Sequence, residues 1–318
     1  MVKCRRCLTE EASVWIPYAK LHLCKKCFDE FTVKRVRETV EKYKMFNQDD
    51  RVGVAVSGGK DSAVLLYTLK KAFPNVEFAV FHINLGIEKY SEDCLKKAKE
   101  LTKMLDLELF VYDLKKEKNF SIDDFKKTRY RRRICSVCGT VKRHVFNEVS
   151  EKIGVDVLAT GHNLDDMVEI MFSNFLAGDF EQLARLKPVI PPFHQKLVKK
   201  VKPLFRIPEN ETALYALFNN IPIRETECPH VTGSRLLERK RLLELFSKEN
   251  PNFKYQLLSV FLKKLIPILE EKREEKAFTV CEVCGFPASA KICGSCRRIM
   301  EIKSILEKTR NSNIHTQV

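Results

Sequence analysis

No uninterrupted apolar run in this 318-residue sequence approaches the ~18 residues that a membrane-spanning helix requires. The start, Met1-Val2-Lys3-Cys4-Arg5, lacks the apolar core of a secretory signal. Together these absences argue against a helical membrane protein and set the expectation of a cytoplasmic one with no membrane partner. The Walker phosphate loop is missing too, because no glycine stands four residues ahead of the Gly59-Lys60 pair. Twelve cysteines without a secretory context are expected as reduced thiols, so disulfides explain them poorly and metal binding or catalysis explains them better.

The composition that remains is that of a soluble globular protein, with 44% hydrophobic and 31% charged residues and a mean hydropathy of −0.25. Its length suits one large domain with small additions. The formal charge is +15. If eight cysteines hold two zinc ions as thiolates the excess falls only to about +11. A basic excess of this size points to a polyanionic partner, since basic faces bind nucleic acid largely by releasing its counterions. A Lys-rich solvated surface would give the same count.

Cysteine spacing separates two kinds of site. Cys4-x2-Cys7, sixteen residues, then Cys24-x2-Cys27 is the pattern of two knuckles converging on one tetrahedral zinc ion. Cys281-x2-Cys284, eight residues, then Cys293-x2-Cys296 repeats it near the C-terminus. Four thiolates leave zinc no open position, so both sets read as closed structural sites. Arg5, Arg6, Lys25, Lys26, Arg297 and Arg298 lie in or beside these knuckles, where they could also touch phosphates.

Between the fingers, apolar strands alternate with helices. Strands are expected at 51–56, 76–83, 107–112 and 155–160, and helices at 62–72, 91–105, 141–153 and 164–176. This rhythm predicts an α/β fold, a doubly wound parallel sheet covered on both faces, with ligands at the carboxyl ends of its strands. From Gly178 a Pro- and Lys-rich loop is expected to lead through Val201-Lys202-Pro203-Leu204 into helices at 209–219, 234–246 and 253–269. The implied division is an N-terminal finger (1–31), a catalytic domain (32–205), a helical extension (206–275) and a C-terminal finger with its tail (276–318).

The first strand runs into Ser57-Gly58-Gly59-Lys60-Asp61-Ser62 and then a helix. Two glycines let backbone amides approach an anion, the helix start adds partial positive charge, and the hydroxyls and Lys60 complete a phosphate cradle. Downstream, Cys135-x2-Cys138 has no nearby second knuckle, and Cys228 stands alone in Glu227-Cys228-Pro229-His230. Three thiolates suit an iron-sulfur cluster with one open iron, a reactive pair that shuttles persulfide, or merely a buried thiol beside an incomplete knuckle. Spacing alone leaves these open.

The loop Ser57–Ser62 resembles the pyrophosphate loop of the N-type ATP pyrophosphatases, which transfer AMP to a carbonyl oxygen. The pattern Cys135-x2-Cys138-Gly139-x2-Lys142-Arg143, the segment Thr160-Gly161-His162-Asn163-Leu164-Asp165-Asp166 and the distant Cys228-Pro229 are together similar to the TtcA and TtuA group of tRNA thiolases. The paired fingers favour the 2-thiouridine synthetases of that group, and the likeness runs from Cys4 to Cys296. The resemblance implies an ATP-dependent tRNA-uridine 2-sulfurtransferase acting on the T-loop, with the wobble uridine as its alternative.

In site terms the resemblance implies that Ala55, Ile83 and Gly161 line the adenosine pocket and that Asp61 helps hold magnesium beside the leaving pyrophosphate. Cys135, Cys138 and Cys228 become ligands of a 4Fe-4S cluster that can carry the transferable sulfur. Lys142 contacts the nucleotide phosphates or the activated base, and Asp166 (or Asp165) assists near the magnesium and the uridine. For this acidic pair the plain reading is N-capping of the following helix, which suits Asp165 better. A ubiquitin-like carrier ending in a thiocarboxylate, or free sulfide, is the implied sulfur source, and a homodimer the implied assembly. His82 reads as a packed or pocket-lining residue and Cys94 as an ordinary helix thiol. The run Arg129-Tyr130-Arg131-Arg132-Arg133 would bring tRNA phosphates to the site, or form an exposed charged face. From another class, a zinc-finger RNA-binding protein with a non-catalytic nucleotide fold would also account for the fingers and the charge.

Overall fold

The computed structural model describes residues 2–231, 235–272 and 278–315. Its centre is a six-stranded sheet. Four strands follow the short apolar runs of the sequence: β1 (Val52–Ala55), β2 (Phe78–Asn84), β3 (Leu109–Asp113) and β4 (Val157–Ala159). Two more, β5 (Val189–Ile190) and β6 (Lys199–Val201), extend it within the segment expected to be loop. The spatial order is β3-β2-β1-β4-β6-β5, parallel except for the last pair. Val54 of β1 stands opposite Val80 on one side and Ala159 on the other, and Ala159 in turn opposite Val201.

The extra strands correct the expectation of a loop through Val201. Lysines hid β6: Lys199-Lys200-Val201 carries no apolar pattern, yet Lys202 just beyond is 9% exposed, its stem packed and its ammonium donating to the Lys187 carbonyl. Strand β5, two residues between Pro188 and Pro191, is too short to show a period.

Strand order reverses direction beside β1. The chain builds outward through β2 and β3, then returns to place β4 on the other flank of β1, so the two strands' following loops diverge at a topological switch point. Helices α1 (Lys25–Lys42), α2 (Lys60–Ala72), α3 (Glu88–Met104), α4 (Ile134–Ile153), α5 (Leu164–Leu176), α6 (Glu209–Phe218), α7 (Arg235–Glu249), α8 (Phe253–Val260) and α9 (Gly294–His315) surround the sheet. Helix α4 begins seven residues ahead of the expected Val141, taking Cys135 and Cys138 into its first turns. The chain after α8 continues through a π-helical turn (Phe261–Leu265) into Ile266–Glu271. Ser234, the expected start of α7, and the boundary at 275–276 lie outside the described residues.

The two fingers attach differently. Cys4, Ile16, Leu23 and Phe28 share one buried core with the sheet residues Val52 and Val54 and with Tyr215 and Leu258 of the second half. The C-terminal finger has a small cluster of its own, Cys281, Ala288 and Cys296, while Ile299 and Ile302 of α9 pack into the core that includes Val137 and Val141 of α4.

Arg35 of α1 ties the N-terminal finger to the second half. Its guanidinium donates to the Tyr18 hydroxyl, to Glu211 Oε2 at 2.6 Å, to the Arg206 carbonyl at 2.6 Å and to the Tyr255 hydroxyl at 2.9 Å. Glu211 is 3% exposed. Removing one partner of such a pair strands the other's charge in a dry site. Arg35→Ala is therefore expected to destabilise the protein by about 3–5 kcal/mol, whereas pairing Arg35→Met with Glu211→Leu recovers most of that loss. Urea titration of the three proteins checks this, and an Arg35→Ala loss below about 1 kcal/mol, the level of a surface pair, would contradict it.

Candidate functional site

The loop after β1 is shaped by short-range bonds. Ser57 N–H donates to Ser62 Oγ at 3.0 Å, the Ser62 hydroxyl donates to the Gly59 carbonyl at 3.0 Å, and Gly59 N–H donates to Ser57 Oγ at 3.4 Å. Gly58 adopts φ +77°, and a Cβ there would lie 2.6 Å from Cys94 Cα, so a side chain is excluded twice over. Gly59 caps α2 without any side-chain bond. The first-turn amides of α2 thus have no capping side chain and are available to an anion.

The loop after β4 meets it directly. A Cβ on Gly161 would stand 2.8 Å from Ser62 N and 2.9 Å from Asp61 C, which makes glycine a condition of the contact. Asn163 then caps α5, accepting from Asp166 N–H at 2.9 Å while Asp166 Oδ2 accepts from Asn163 N–H at 3.2 Å. The cap is therefore Asn163 and not Asp165, and Asp166 supplies the reciprocal half of the capping box. Asp165 turns the other way, accepting from Glu209 N–H at 2.7 Å and pairing with Lys254, which also reaches Glu244.

Between the two loops runs a chain of charges. Asp61 Oδ1 accepts from Asn163 at 3.0 Å and from the Thr212 hydroxyl at 2.6 Å. Lys60 Nζ lies 2.9 Å from Asp61 Oδ2 and 2.7 Å from Glu209 Oε1. Lys240 of α7 lies 2.8 Å from Glu209 Oε2 and 2.6 Å from Asp166 Oδ1. Burial lifts Asp166 above the usual carboxylate range, against the pull of Lys240. Neither Glu209 nor Lys240 belongs to a motif, and both escaped the sequence reading.

A cavity of about 690 Å³ opens over these loops, lined by Ser57, Gly59–Ser62, Gly161 and Asp166 together with Gly139, Lys142 and Glu225–Glu227. A smaller recess of about 90 Å³ adjoins it, lined by Ile83, Phe81, His82 and Leu85. Ala55, Ser57, Tyr90 and Lys142 border both spaces. His82 is buried and hydrogen-bonds through Nδ1 to the Val56 carbonyl at 2.8 Å, as a packed residue would. His162 lines the larger cavity, and burial, with Lys202 and Lys142 nearby, pushes it down to about 4, so it is neutral at pH 7.

Two of the inner thiols are next in sequence to residues that line this cavity, although none of the three is itself among its lining. Cys138 directly precedes the lining residue Gly139, and Cys228 directly follows Glu227. Cys135 donates to the His230 carbonyl at 2.9 Å, and His230 in turn meets Asp123 at 2.7 Å, joining α4 to the Cys228 segment. Burial raises the Cys135 and Cys138 thiols; Cys228 reinforces the rise and Lys142 opposes it. Among the described residues, only the two terminal sets close to within 4.8 Å of one another as groups of three or more. The Cys7–Cys24 and Cys284–Cys293 sulfurs are each 3.9 Å apart. A tetrahedral zinc ion with bonds of about 2.3 Å sets sulfurs about 3.8 Å apart, so the terminal sets fit zinc, whereas the inner trio forms no such close group.

The basic residues of the fingers are partly engaged within the protein. Arg6 pairs with Glu30 at 3.2 Å, Lys25 lies over Phe218, and Arg298 donates to the Gly294 carbonyl while resting on Tyr130. Lys127, Arg129, Arg131 and Arg132 surround an open surface hollow, with Arg129 paired to Glu301 at 2.9 Å.

A family model described as a PP-loop domain matches residues 29–232. The tRNA-5-methyluridine(54) 2-sulfurtransferase of Pyrococcus horikoshii is 38% identical over 296 residues, spanning 93% of each chain. The enzyme of the same name from Thermotoga maritima is 33% identical, spanning 97% of this chain and 99% of its own. Among solved structures, the U34-tRNA thiolase NcsA from Methanococcus maripaludis with its 4Fe-4S cluster superposes with a TM-score of 0.79 at 29% identity, covering 93% of this chain and 95% of that one.

Glu209 generates a pH prediction. Burial opposes its ionisation, but hydrogen bonds from Lys240 and Lys60 hold it down at about 2, against about 4.3 in an unfolded chain. A depressed carboxylate stabilises fully above the unfolded value and loses that contribution as pH falls through the folded one. The stability gap between wild type and Glu209→Gln is expected to be constant from neutral pH to about 5 and to shrink below about 4.3. Denaturant titrations at pH 7, 5, 4 and 3 measure it, and a gap unchanged at pH 3 would contradict the ion-pair account.

Proposed function

The chain belongs to the PP-loop family, and on that premise we propose that it is an ATP-dependent tRNA 2-sulfurtransferase that converts the T-loop uridine to 2-thiouridine. The observation that carries this reading is the shared cavity, in which a phosphate-binding loop is brought together with Lys142 and with Gly139 and Glu227, the sequence neighbours of Cys138 and Cys228. The names of the more similar relatives support uridine 54. The superposed NcsA is named for position 34, which makes the wobble uridine the second reading.

The chemistry follows from the substrate. A uracil C2 oxygen is a poor leaving group until it is adenylated. The amides and hydroxyls of Ser57–Ser62 bind the pyrophosphate half of ATP, and Ala55, Ile83 and Gly161 border the adenosine. The C2 oxygen then attacks the α-phosphorus and pyrophosphate departs. Lys142 offsets charge at the developing centre. Sulfur next adds at C2, and AMP leaves with the former carbonyl oxygen.

Asp61 and Asp166 would hold magnesium, whose role is to neutralise the departing pyrophosphate. The donor sets fit two zinc ions at Cys4, Cys7, Cys24 and Cys27 and at Cys281, Cys284, Cys293 and Cys296. Cys135, Cys138 and Cys228 would hold a 4Fe-4S cluster, which with three protein ligands keeps one iron open to sulfur. A thiocarboxylated ubiquitin-like carrier or free sulfide supplies that sulfur, and the exposed Leu242, Leu245 and Phe246 of α7 offer an apolar face for a second copy of the chain. The basic hollow at 127–132 receives tRNA phosphates. No described helix is long and apolar enough to cross a membrane, in keeping with a cytoplasmic site of action.

Two outcomes follow. Asp61→Ala is expected to lower tRNA-dependent release of AMP and pyrophosphate by on the order of a hundredfold or more; equal release in both proteins would favour a plain RNA-binding role. Anaerobically purified wild type is expected to be brown. Cys228→Ala should bleach it without removing either zinc ion, as metal analysis reads. A colourless, fully active wild type would instead favour persulfide transfer. Nucleoside mass spectrometry mapped along tRNA from cells lacking the protein decides between uridine 54 and uridine 34.

A further inference from the structure

We propose that Arg224 is a phosphate-contacting residue of the nucleotide site, matching the charge of the pyrophosphate half of ATP. The inference rests on the nucleotide reading above and adds a residue that lies outside every motif of the chain.

Among the described residues, four cations line the cavity: Lys60, Lys142, Arg143 and Arg224. Lys60, the lysine of the loop itself, is already held by Asp61 and Glu209. Arg224 lines the same cavity, and among the described residues no carboxylate lies within ion-pair distance of it. Its Nε is buried with no hydrogen-bond partner. A guanidinium presents five donors in a planar fork that suits phosphate oxygens, so an unmatched one beside a phosphate loop is poised for an anion.

Position agrees with charge. A Cβ built on Gly59 would lie 2.4 Å from an Arg224 Nη1, so the guanidinium rests on the glycine that caps α2. An anion bound to the first-turn amides of α2 is therefore beside it. Gly59 is accordingly required for two approaches, that of the phosphate from the cavity and that of the arginine from the wall.

The segment is held in place before any ligand arrives. Arg224 N–H donates to the Gly58 carbonyl at 2.8 Å. Asp93 Oδ2 accepts from Glu225 N–H at 3.0 Å, from Thr226 N–H at 2.9 Å and from the Thr226 hydroxyl at 2.7 Å. The guanidinium also lies over the Tyr90 ring, 5.2 Å from its centroid. Little ordering is left to be done when phosphate binds, which is the condition under which a charged contact contributes most.

Calorimetric titration of anaerobically purified full-length protein with magnesium and, separately, ATP, inorganic pyrophosphate and AMP tests the assignment. Arg224→Ala is expected to weaken ATP and pyrophosphate by about tenfold to a hundredfold, the range of a lost charge-assisted hydrogen bond, and to leave AMP affinity unchanged. Arg224→Lys, which keeps the charge but not the fork, recovers part of the loss, and Arg224→Gln, which keeps much of the bulk, recovers little. Pyrophosphate binding equal to wild type in Arg224→Ala and Arg224→Gln overturns the proposal. So does a parallel loss of AMP affinity in both, which would mark a structural role. A wild type that binds neither ATP nor pyrophosphate removes the nucleotide reading itself, and this inference with it.

Discussion

The ion-pair chain from Lys60 through Glu209 and Lys240 to Asp166 fixes the geometry on which the cavity depends. It joins the phosphate loop, the start of α6, the middle of α7 and the cap of α5, four pieces of chain that share no local sequence. Ion pairs in such a half-buried setting contribute little net stability, because desolvation offsets much of their attraction. Their consequence here is positional. Glu209 is aimed by its own N–H, which donates to Asp165, while Asp165 is held by Lys254. Each carboxylate near the loop is thereby given one orientation, and the cavity's cations without an ion pair among the described residues, Lys142, Arg143 and Arg224, define where an anion is favoured.

What could be read from the sequence was whatever has a period or a spacing. Both terminal metal sets were legible because thiolate geometry dictates the CxxC repeat, and the first four strands because buried parallel strands are nearly continuous apolar runs. Helix α5 was read with its observed bounds. Strands β5 and β6 were not legible, since β5 is only two residues set between prolines and the lysines of β6 mimic a solvated loop. The early start of α4 was masked by Arg131-Arg132-Arg133, which reads as an irregular basic stretch. In the site, Ser57–Ser62 and Gly161 announced themselves as a glycine-rich turn and a strand end. Glu209, Lys240 and Arg224 could not, because a single charged residue acquires meaning only from partners 31 to 149 positions away or from an unpaired state that sequence does not record.

The fingers illustrate the same limit from the other side. Their ligands were legible but their attachment was not. The N-terminal set is built into the main core through Phe28, whose ring meets Tyr215 at 6.2 Å and Phe218 at 6.1 Å. The four N-terminal cysteines therefore sit against the core shared with β1. At the other end, Phe286 meets His144 of α4 at 5.6 Å, and Arg298 lies over Tyr130 just ahead of that helix. The C-terminal finger therefore braces the helix that carries Cys135, Cys138 and Lys142.

Three parts of the site are thus held partly by distant elements and partly by one another. Helix α4 is braced by the C-terminal finger, the Cys228 segment is clasped by Asp93 and the Gly58 carbonyl, and the phosphate loop is set by the sheet and by its contact with Gly161. The first two meet at one bond, from the Cys135 thiol to the His230 carbonyl. A reaction that activates an oxygen on one wall and delivers sulfur from another needs the walls to keep their spacing while tRNA enters between them. Tying the Cys228 segment to the phosphate loop through the Gly58 carbonyl and to α4 through the Cys135 thiol meets that need, because the three walls then keep their spacing as one linked unit.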